Sequence, residues 1–173
     1  NMNLDKISLR ALEPSDIEVL MKIENDDRYW KYSNRTEPYS RDLLEKYIEQ
    51  QKQDIFVVKQ KRFVISQKNI YTLGFIDIFD FEPMHRRAGV GIFLLEEFRA
   101  KRIGRKCVNI LGNYAKTHLN LNCLYANIAE ENVSSIHLFE SCGYEKIGLK
   151  RDWNYYKNTF HGEYIYQKIL IDV

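Results

Sequence analysis

The residues that decide the fold are Gly89 to Lys116, which read GVGIFLLEEFRAKRIGRKCVNILGNYAK. The apolar segment from Val90 to Leu95 has the composition of a short strand. A turn rich in cations follows, and from Gly104 onward apolar residues recur at helical spacing, at Cys107, Val108, Ile110, Leu111, Tyr114 and Ala115. The stretch therefore predicts a strand, a basic turn and the N-terminus of a helix.

The basic turn and the helix after it are suited to bind an anion. The first N–H groups of a helix have no partners within the helix, and the helix dipole places partial positive charge there. Side-chain cations beside such N–H groups suit a polyanion such as a pyrophosphate. Basic residues before a helix are also common on solvated surfaces, so charge alone leaves both interpretations open. The cations of this turn are Arg99, Lys101, Arg102, Arg105 and Lys106.

Length and composition indicate one globular domain spanning residues 1–173. Of the 173 residues, 45% are hydrophobic and 29% are charged. No apolar segment approaches the roughly 18 residues of a membrane span and no signal-peptide pattern is present, so we expect a cytoplasmic protein without membrane contact. The net charge of +2 is too small to favour nucleic acid as a partner. Because Asn1 precedes Met2, we expect the natural chain to begin at Met2.

We expect neither a metal site nor a disulfide framework. The cysteines are odd in number and widely spaced, and we interpret them as reduced core residues: Cys107, Cys123 and Cys142. The histidines form no closely spaced pair of the kind that binds zinc: His85, His118, His137 and His161.

The remaining pattern predicts strands and helices in mixed order, with antiparallel strands early and late. Strands are expected at 7–12, 62–67, 73–81, 90–95 and 123–128, and as a hairpin of 144–153 and 160–171 joined around 157–159. Helices are expected at 13–25, at 41–53 with Ser40 as N-cap, from Gly104, and at 133–141 between Asn132 and a closing Gly143.

Alternation along the strand at 73–81 predicts which side chains share a face. Phe75, Asp77, Phe79 and Phe81 fall on one face, and Asp80 falls on the other. Asp77 and Asp80 are therefore expected to point apart and not to line one pocket.

Two segments resemble motifs of the GNAT superfamily of N-acetyltransferases. Arg99-Ala100-Lys101-Arg102-Ile103-Gly104 is similar to the family's Gln/Arg-x-x-Gly-x-Gly/Ala loop, whose backbone amides hold the pyrophosphate of coenzyme A, although Arg102 stands where the family usually has glycine. The segment from Asn132 to Tyr144 resembles Asn-x-x-Ser/Ala-x-x-Leu-Tyr/Phe-x-x-x-Gly-Phe, which flanks the pantetheine arm. Four further segments look like the spermidine acetyltransferases and their RimJ/RimL-type relatives: 9–13, 37–39, 84–88 and 160–164.

The resemblance implies an α/β (α+β) fold, with a mixed, mostly antiparallel twisted sheet of about six to seven strands, about four flanking helices and a splayed central strand pair. It also implies acetyl-CoA (coenzyme A) as cofactor, with a backbone N–H of the central strand polarising the thioester carbonyl. The cofactor-binding residues implied by the motif match are Ile92, Phe93, Leu94, Arg99, Ala100, Lys101, Arg102, Ile103, Gly104, Arg105, Asn132, Ser135 and Phe139.

The resemblance leaves the proton-transfer groups unassigned. The spermidine enzymes carry a tyrosine general acid where this chain has Phe139, and many family members carry a glutamate base where it has Gly89. The candidate catalytic residues are three carboxylates that match acidic positions of the spermidine enzymes, although Thr36 replaces an adjoining glutamate: Asp77, Asp80 and Glu37. Further candidates for the acid are Tyr144, Tyr155, Tyr156 and Tyr164. An ordinary surface or core role is the alternative for each of these groups.

The expected function is acetyl transfer from acetyl-CoA to a primary amine. A small polyamine is favoured over a protein amino group, because carboxylates at a pocket mouth attract polyammonium ions. RimJ/RimL-like acetylation of a protein amino group and a non-catalytic acyl-CoA-binding module remain alternatives, and a nucleic-acid binder is a distant third. A homo-oligomer is compatible with the sequence, which does not identify the acceptor.

Overall fold

A seven-stranded sheet forms the centre of the computed structural model, which describes residues 3–32 and 35–171. The strands are β1 (Ile7–Ala11), β2 (Lys61–Gln67), β3 (Tyr71–Glu82), β4 (Arg87–Leu94), β5 (Cys123–Ala129), β6 (Glu145–Tyr156) and β7 (Thr159–Ile169). They follow one another across the sheet in the order β1-β2-β3-β4-β5-β7-β6. Every neighbouring pair is antiparallel except β4 and β5, which are parallel. The predicted chain start at Met2 lies outside the described residues.

Five α-helices are present in the described part of the chain, one more than expected from the sequence. They are α1 (Ile17–Glu24), α2 (Arg41–Gln50), α3 (Ile55–Val58), α4 (Ile103–Thr117) and α5 (Val133–Ser141). The additional helix, α3, is a single turn that begins after Asp54, whose side chain accepts a hydrogen bond from the Phe56 N–H. None of the described helices is long and apolar enough to cross a membrane.

Each face of the sheet is covered by its own pair of helices. Helices α1 and α2 pack on one face, where Leu20 and Leu44 share a buried cluster with Val64 and Phe75. Helices α4 and α5 pack on the other face in a larger cluster, which includes Ile76, Ile78, Ala88, Val90, Cys107, Leu111, Leu124 and Phe139. Because successive strand residues point to opposite faces, each central strand contributes to both clusters. We call the two sides the α1/α2 face and the α4/α5 face.

The helix caps and the tail hairpin form where the sequence predicts them. The Ser40 hydroxyl accepts a hydrogen bond from the Leu43 N–H at the start of α2. Gly143 has a φ of +86° just after α5, a left-handed conformation that glycine adopts without strain. Lys157 and Asn158 have φ values of +50° and +60°, as in the two-residue turns that match the twist of a hairpin. The predicted boundaries are correct to within a few residues.

The predicted alternation along β3 is wrong at the end of that strand. Asp80 and Phe81 together stand opposite the single residue Ala88 of β4, which makes a β-bulge, and Asp80 has a left-handed φ of +47°. Phe81 was expected beside Phe75 but is buried in the cluster of the α4/α5 face. The expectation that Asp77 and Asp80 point to opposite faces rests on the same alternation, which does not continue through the bulge.

A buried ion pair fixes the turn that leads into α1. Asp16 is only 4% exposed, and its carboxylate accepts hydrogen bonds from the two Arg10 guanidinium nitrogens Nη1 and Nη2 at 2.9 and 2.8 Å and from the Glu13 N–H at 2.8 Å. Burial by itself would raise the pKa of Asp16, but these hydrogen bonds and the Arg10 charge outweigh burial and lower it. Asp16 is therefore more acidic in the folded chain than in the unfolded chain.

This shift predicts a loss of stability in acid that depends on Asp16. Because the folded pKa lies below the ordinary value of 3.8, the contribution of Asp16 is complete above that value and disappears as the pH falls through the folded pKa. We expect Asp16→Asn to lower the free energy of unfolding by about 1–3 kcal/mol at pH 7 and to flatten its decline below about pH 4. Urea unfolding between pH 3 and 7 measures both effects. The exposed Asp42→Asn variant is the control, and an equally steep acid decline in Asp16→Asn would contradict the assignment.

Candidate functional site

An opening separates the two parallel strands at the centre of the sheet. Strands β4 and β5 pair only at Arg87–Cys123, Ala88–Leu124 and Gly89–Tyr125. Beyond Gly89, β4 continues to Leu94 against β3, and β5 continues to Ala129 against β7. Among the described residues no strand lies between the facing edges of β4 and β5. Apart from the Leu94 carbonyl, which accepts a hydrogen bond from Arg99, the backbone N–H and C=O groups of these edges are available to an extended ligand. This arrangement confirms the splayed central pair.

The N-terminus of α4 lies just after the end of β4 and has the character of an anion site. Arg102 is the N-cap residue and has a φ of +64°, so an arginine adopts the left-handed conformation that the family's glycine would adopt more easily. The Arg102 side chain makes no capping hydrogen bond to the helix. Lys101, Arg102 and Arg105 are exposed and make no ion pair with the residues that the structure describes. These cations and the first N–H groups of α4 remain available for a polyanion.

Arg99, the first cation of the predicted loop, does not extend freely into solvent but contacts the end of β4 and two aromatic rings. The Arg99 Nε–H donates a hydrogen bond to the Leu94 carbonyl oxygen at 3.0 Å. Its guanidinium carbon lies 5.5 Å from the Phe93 ring centroid and 5.6 Å from that of Tyr29. Phe93 itself belongs to the cluster of the α1/α2 face, whereas Ile92 and Leu94 pack toward the α4/α5 face. Arg99 and the Phe93 ring therefore border the side of the opening that is covered by α1 and α2.

Two buried residues of the loop hold α4 against its neighbours. Ile103 is fully buried, and Gly104 packs so tightly that an added Cβ would lie 3.1 Å from Leu138 of α5 and 3.5 Å from Leu94 of β4. Ala100 has a left-handed φ of +58°. These residues shape the loop and set its distance from the end of β4.

Helix α5 supplies a cap at its start and core packing at its end. The Asn132 side-chain oxygen accepts hydrogen bonds from the Ser135 N–H at 3.3 Å and the Ser134 hydroxyl at 3.2 Å. Phe139 is only 2% exposed and packs edge-on against Tyr144, with ring centroids 5.0 Å apart. Phe139, which is one of the predicted cofactor-binding residues, is therefore part of the hydrophobic core in this structure.

The tyrosines considered as substitute acids lie in unrelated surroundings. Burial raises the pKa of Tyr144, and its hydroxyl has no hydrogen-bond partner among the described residues. Tyr155 is largely exposed, Tyr156 stacks on His161 with centroids 3.7 Å apart, and the Tyr164 ring lies 3.9 Å from the Lys146 Nζ. These positions do not form one site.

Asp77 is held in a chain of alternating charges on the α1/α2 face. Its two carboxylate oxygens accept hydrogen bonds from the Arg62 Nε and Nη2 at 2.8 and 2.9 Å. Arg62 also donates to Glu24 at 2.7 Å, and Glu24 accepts from Arg35 at 2.6 Å. Arg35 donates in turn to the Glu37 carbonyl oxygen at 2.9 Å. The structure thus links Asp77 to Glu37 through this network, but the Asp77 charge is balanced by Arg62, and Glu37 is exposed.

Asp80 has a different kind of partner. Its carboxylate accepts a hydrogen bond from the Tyr125 hydroxyl at 3.0 Å and makes no ion pair within residues 3–32 and 35–171. Burial, together with this hydrogen bond, raises the pKa of Tyr125 to about 12, so the phenol is neutral at physiological pH. Tyr125 occupies the last position at which β5 pairs with β4. Asp80 is thus an uncompensated carboxylate next to the base of the opening.

Phe79 occupies the space next to Gly89, where many family members carry a glutamate base. A Cβ added to Gly89 would lie 2.3 Å from Cε2 and 2.5 Å from Cζ of the Phe79 ring, a distance that real Cβ atoms do not reach. The Phe79 ring also packs edge-on against Tyr125, with centroids 5.9 Å apart. Neither usual proton carrier is therefore present at the opening, because Gly89 has no side chain and Phe139 has no acidic proton.

Arg62 and Tyr125 contact two of the predicted carboxylates but are not marked by any pattern in the sequence. Each acts through a partner on another strand, Asp77 in β3 for Arg62 and Asp80 in β3 for Tyr125. The register between the strands decides these pairs, and no local motif marks them.

The opening and the uncapped start of α4 fit acetyl-CoA. The unpaired strand edges can bind an extended arm, and the exposed cations with the free N–H groups of α4 can bind its phosphates. Acetyl-CoA, when bound, supplies the acetyl group as an activated thioester. The contribution of this chain is to position that group between β4 and β5, next to the α1/α2 face on which Asp80 and Tyr125 lie.

The fold and the site define an acyl-CoA-dependent transferase, and the comparison with known families agrees. The chain belongs to the acetyltransferase (GNAT) domain family, which matches residues 6–145 and uses acetyl-CoA as acetyl donor.

Among individual proteins, the chain is similar to the spermidine N(1)-acetyltransferase of Vibrio cholerae, with 30% identity over 148 residues that cover 83% of this chain and 81% of that enzyme. The solved structure of spermidine N-acetyltransferase from Vibrio cholerae in complex with CoA and spermine has the same fold, with a TM-score of 0.87, 24% identity and 96% of each chain covered. A structure described as dodecameric, of the Vibrio cholerae enzyme in an intermediate state, aligns with a TM-score of 0.80 at 25% identity, covering 96% of this chain and 95% of that one.

The exposed cations at α4 predict a specific loss of CoA affinity. We expect the double variant Arg102→Gly/Arg105→Ala to bind CoA about tenfold or more weakly, because two charge-assisted contacts to phosphate are lost. Glycine keeps the left-handed backbone at position 102, so the effect reports the charge rather than the loop geometry. Titration calorimetry with CoA and with pantetheine measures the change.

The control is Lys6→Ala/Lys22→Ala, which removes the same charge from exposed positions in the N-terminal part of the chain. Pantetheine, which lacks the pyrophosphate, should bind the wild type and the double variant equally. If the double variant keeps its CoA affinity, this turn does not hold the phosphates.

Proposed function

We propose that this chain, as a single domain in the cytoplasm, transfers acetyl from acetyl-CoA to a primary amine of a polyamine. The 30% identity to a spermidine N(1)-acetyltransferase over 83% of the chain supports the choice of acceptor. The cysteines are free thiols, and Cys107 and Cys142 are buried, which is consistent with a reducing compartment.

The observation that carries the proposal is the uncompensated carboxylate beside the opening. Asp77 is paired with Arg62, and Glu163 in β7, which stands opposite Ala129, is paired with Lys150 at 2.7 Å. Within the described part of the chain, the one hydrogen bond that Asp80 accepts from a side chain comes from the neutral Tyr125 phenol. Its full negative charge is therefore available to a distal ammonium group of the acceptor, while the reacting nitrogen lies closer to the opening.

Asp80 lies roughly 10 Å along β3 from the position that faces the opening. Asp80 is three residues along β3 from Asp77, which stands opposite Gly91 in the open part of β4. An acceptor that places one nitrogen at the opening and another at Asp80 must therefore be long and must carry more than one amine. A polyamine has both properties, whereas a simple monoamine has no group for Asp80.

A panel of acceptors tests the proposal directly. Release of free thiol from acetyl-CoA is measured with spermidine, with a monoamine of similar length and with a peptide that offers its N-terminal amine. We expect the highest kcat/KM for spermidine and a fall in that value between low and moderate ionic strength, because salt screens an exposed carboxylate. The highest turnover with the peptide would favour a protein acceptor, and binding of acetyl-CoA without turnover of any amine would favour a binding module.

Substitution of Asp80 tests whether its carboxylate binds the distal ammonium group of the acceptor. We expect Asp80→Asn to raise the KM for spermidine several-fold and to remove most of its salt dependence, with little change for the monoamine. The control is Glu82→Gln, which removes an exposed carboxylate two residues further along the same strand. Unchanged spermidine kinetics in Asp80→Asn would assign the ammonium to another group.

We further propose that copies of this chain associate through the edge of the sheet formed by β6. This strand is the last of the sheet and has a neighbour on one side only. Large apolar side chains of β6 and of the adjoining part of β7 are exposed, which is unusual for a monomer: Ile147, Leu149, Trp153, Tyr155 and Phe160.

Light scattering at several protein concentrations measures the assembly. We expect a mass well above the 20.7 kDa of one chain, and we expect Trp153→Lys/Phe160→Lys to reduce the mass. Phe56→Lys, which changes an exposed aromatic residue in α3, is the control. A monomeric wild type, or an assembly that survives the double change, would contradict the proposal.

A further inference from the structure

Gly91 leaves a gap on the α1/α2 face of β4. The neighbours of Gly91 along β4, Val90 and Ile92, pack toward the α4/α5 face, so the missing side chain of Gly91 belongs to the α1/α2 face. Asp77 of β3 stands directly opposite Gly91. Gly91 is also two residues, or about 7 Å, beyond the last position at which β4 pairs with β5. The gap therefore lies on the acceptor side of the opening.

The gap is bounded at both ends by aromatic rings. Phe79 fills the space at Gly89 completely, but its ring ends at Gly91, where a Cβ would contact only its Cε1 atom at an ordinary 3.8 Å. At the other end, Phe93 is fixed edge-on against Tyr29, with ring centroids 4.7 Å apart. The space between the two rings is thus apolar at its ends and open above Gly91.

The charges around the gap do not favour an ammonium ion. The carboxylate of Asp77 is neutralised by its two hydrogen bonds to Arg62. The Arg99 guanidinium lies 5.5 Å from the Phe93 ring and adds a positive charge at that end. An alkyl group next to a neutral amine fits these surroundings better than a cation does, and an amine must be neutral to act as a nucleophile.

We propose that Gly91 determines acceptor specificity, because the gap above it holds the carbon that bears the reacting nitrogen. Because Phe79 and Phe93 flank the gap along β4, we expect an unbranched CH₂ group to fit it and a branch at this carbon to crowd one of the rings. The acceptor class is therefore a linear primary alkylamine, whereas the N-terminus of a peptide is branched at the corresponding carbon unless its first residue is glycine. This inference rests on the proposed function, because it assigns the acceptor side of the same opening.

The role of Gly91 is tested with two acceptors that differ by one methyl group and with the substitution Gly91→Ala. The acceptors are spermidine and an analogue that carries one methyl group on the carbon bearing the reacting nitrogen. We expect the wild type to prefer spermidine about tenfold or more in kcat/KM, since one methyl group in a fitted site discriminates to that extent. We expect Gly91→Ala to lower the kcat/KM for spermidine by a similar factor, because the added methyl group fills the gap.

The fold tolerates this substitution, so its effect can be assigned to the acceptor. The new Cβ would make only ordinary contacts, and the affinity for CoA should stay within about twofold of the wild type. Gly112→Ala in α4 is the control, because a Cβ there has no atom within 4 Å. Phe79→Ala lengthens the gap and should raise the turnover of the methyl analogue relative to spermidine.

Two measurements separate this inference from the proposed function. Equal turnover of the two acceptors by the wild type, or unchanged amine kinetics in Gly91→Ala, overturns the role of Gly91 and leaves the acetyltransferase activity intact. If no amine is acetylated, the proposed function fails, and calorimetric titration of both acceptors into the CoA-loaded protein then decides the inference. If the wild type binds spermidine more tightly than the analogue and Gly91→Ala loses this difference, the role of Gly91 is supported. If the wild type binds the two acceptors equally, the role of Gly91 is overturned.

Discussion

The limited pairing of β4 with β5 is the constraint on which the rest of the site depends. The two strands share three residue pairs and then separate, while each keeps its antiparallel neighbour on the other side. The sheet thereby stays continuous at its base and offers two free strand edges at its upper part. Residues 95–102 connect β4 to α4, and a Cβ on Gly104 in the first turn of α4 would lie 3.5 Å from Leu94 at the end of β4. The N–H groups and cations at the start of α4 therefore lie beside the same opening. The early end of the β4–β5 pairing thus leaves strand edges that can bind the pantetheine arm. It also leaves the start of α4 open to the phosphates and the space between the strands open to the acceptor.

The hydrogen-bond partners of Asp77 and Asp80 decide whether each carboxylate keeps a charge that a ligand can bind. Asp77 and Asp80 belong to the same strand and have the same chemistry. Arg62 neutralises Asp77 and ties it to α1 through Glu24, which makes Asp77 part of the framework. The bulge in β3 turns Asp80 toward a neutral phenol, which leaves its charge intact. The charges of the network around Arg62 are therefore paired with one another, whereas the charge of Asp80 is available to a ligand.

Much of this architecture is encoded locally and can be predicted from the sequence. The caps at Ser40 and Asn132, the left-handed Gly143, the strand before the basic turn and the helix after it are each specified by a few adjacent residues. The features that the local sequence does not reveal involve contacts between distant segments, and one of them is the alternation of β3, whose prediction was wrong. The bulge at Asp80 depends on the register of β3 against β4, and the position of Arg99 depends on Tyr29, 70 residues earlier in the chain. The core position of Phe139 follows from the packing of α5 against the strands. Tertiary contacts decide these features, and no local pattern reports them.

The contact between Phe79 and Gly89 also constrains how this sequence can change. Any side chain at position 89 would overlap the Phe79 ring, so a glutamate cannot appear there first without displacing that ring. A smaller residue at position 79 would have to come first, and it would leave an unfilled space over Gly89 until the second change followed. The two positions are therefore coupled: a side chain at position 89 requires either a shift of the Phe79 ring or a smaller residue at position 79. A glutamate base at position 89 would therefore cost packing energy in the folded chain before it could contribute to the reaction.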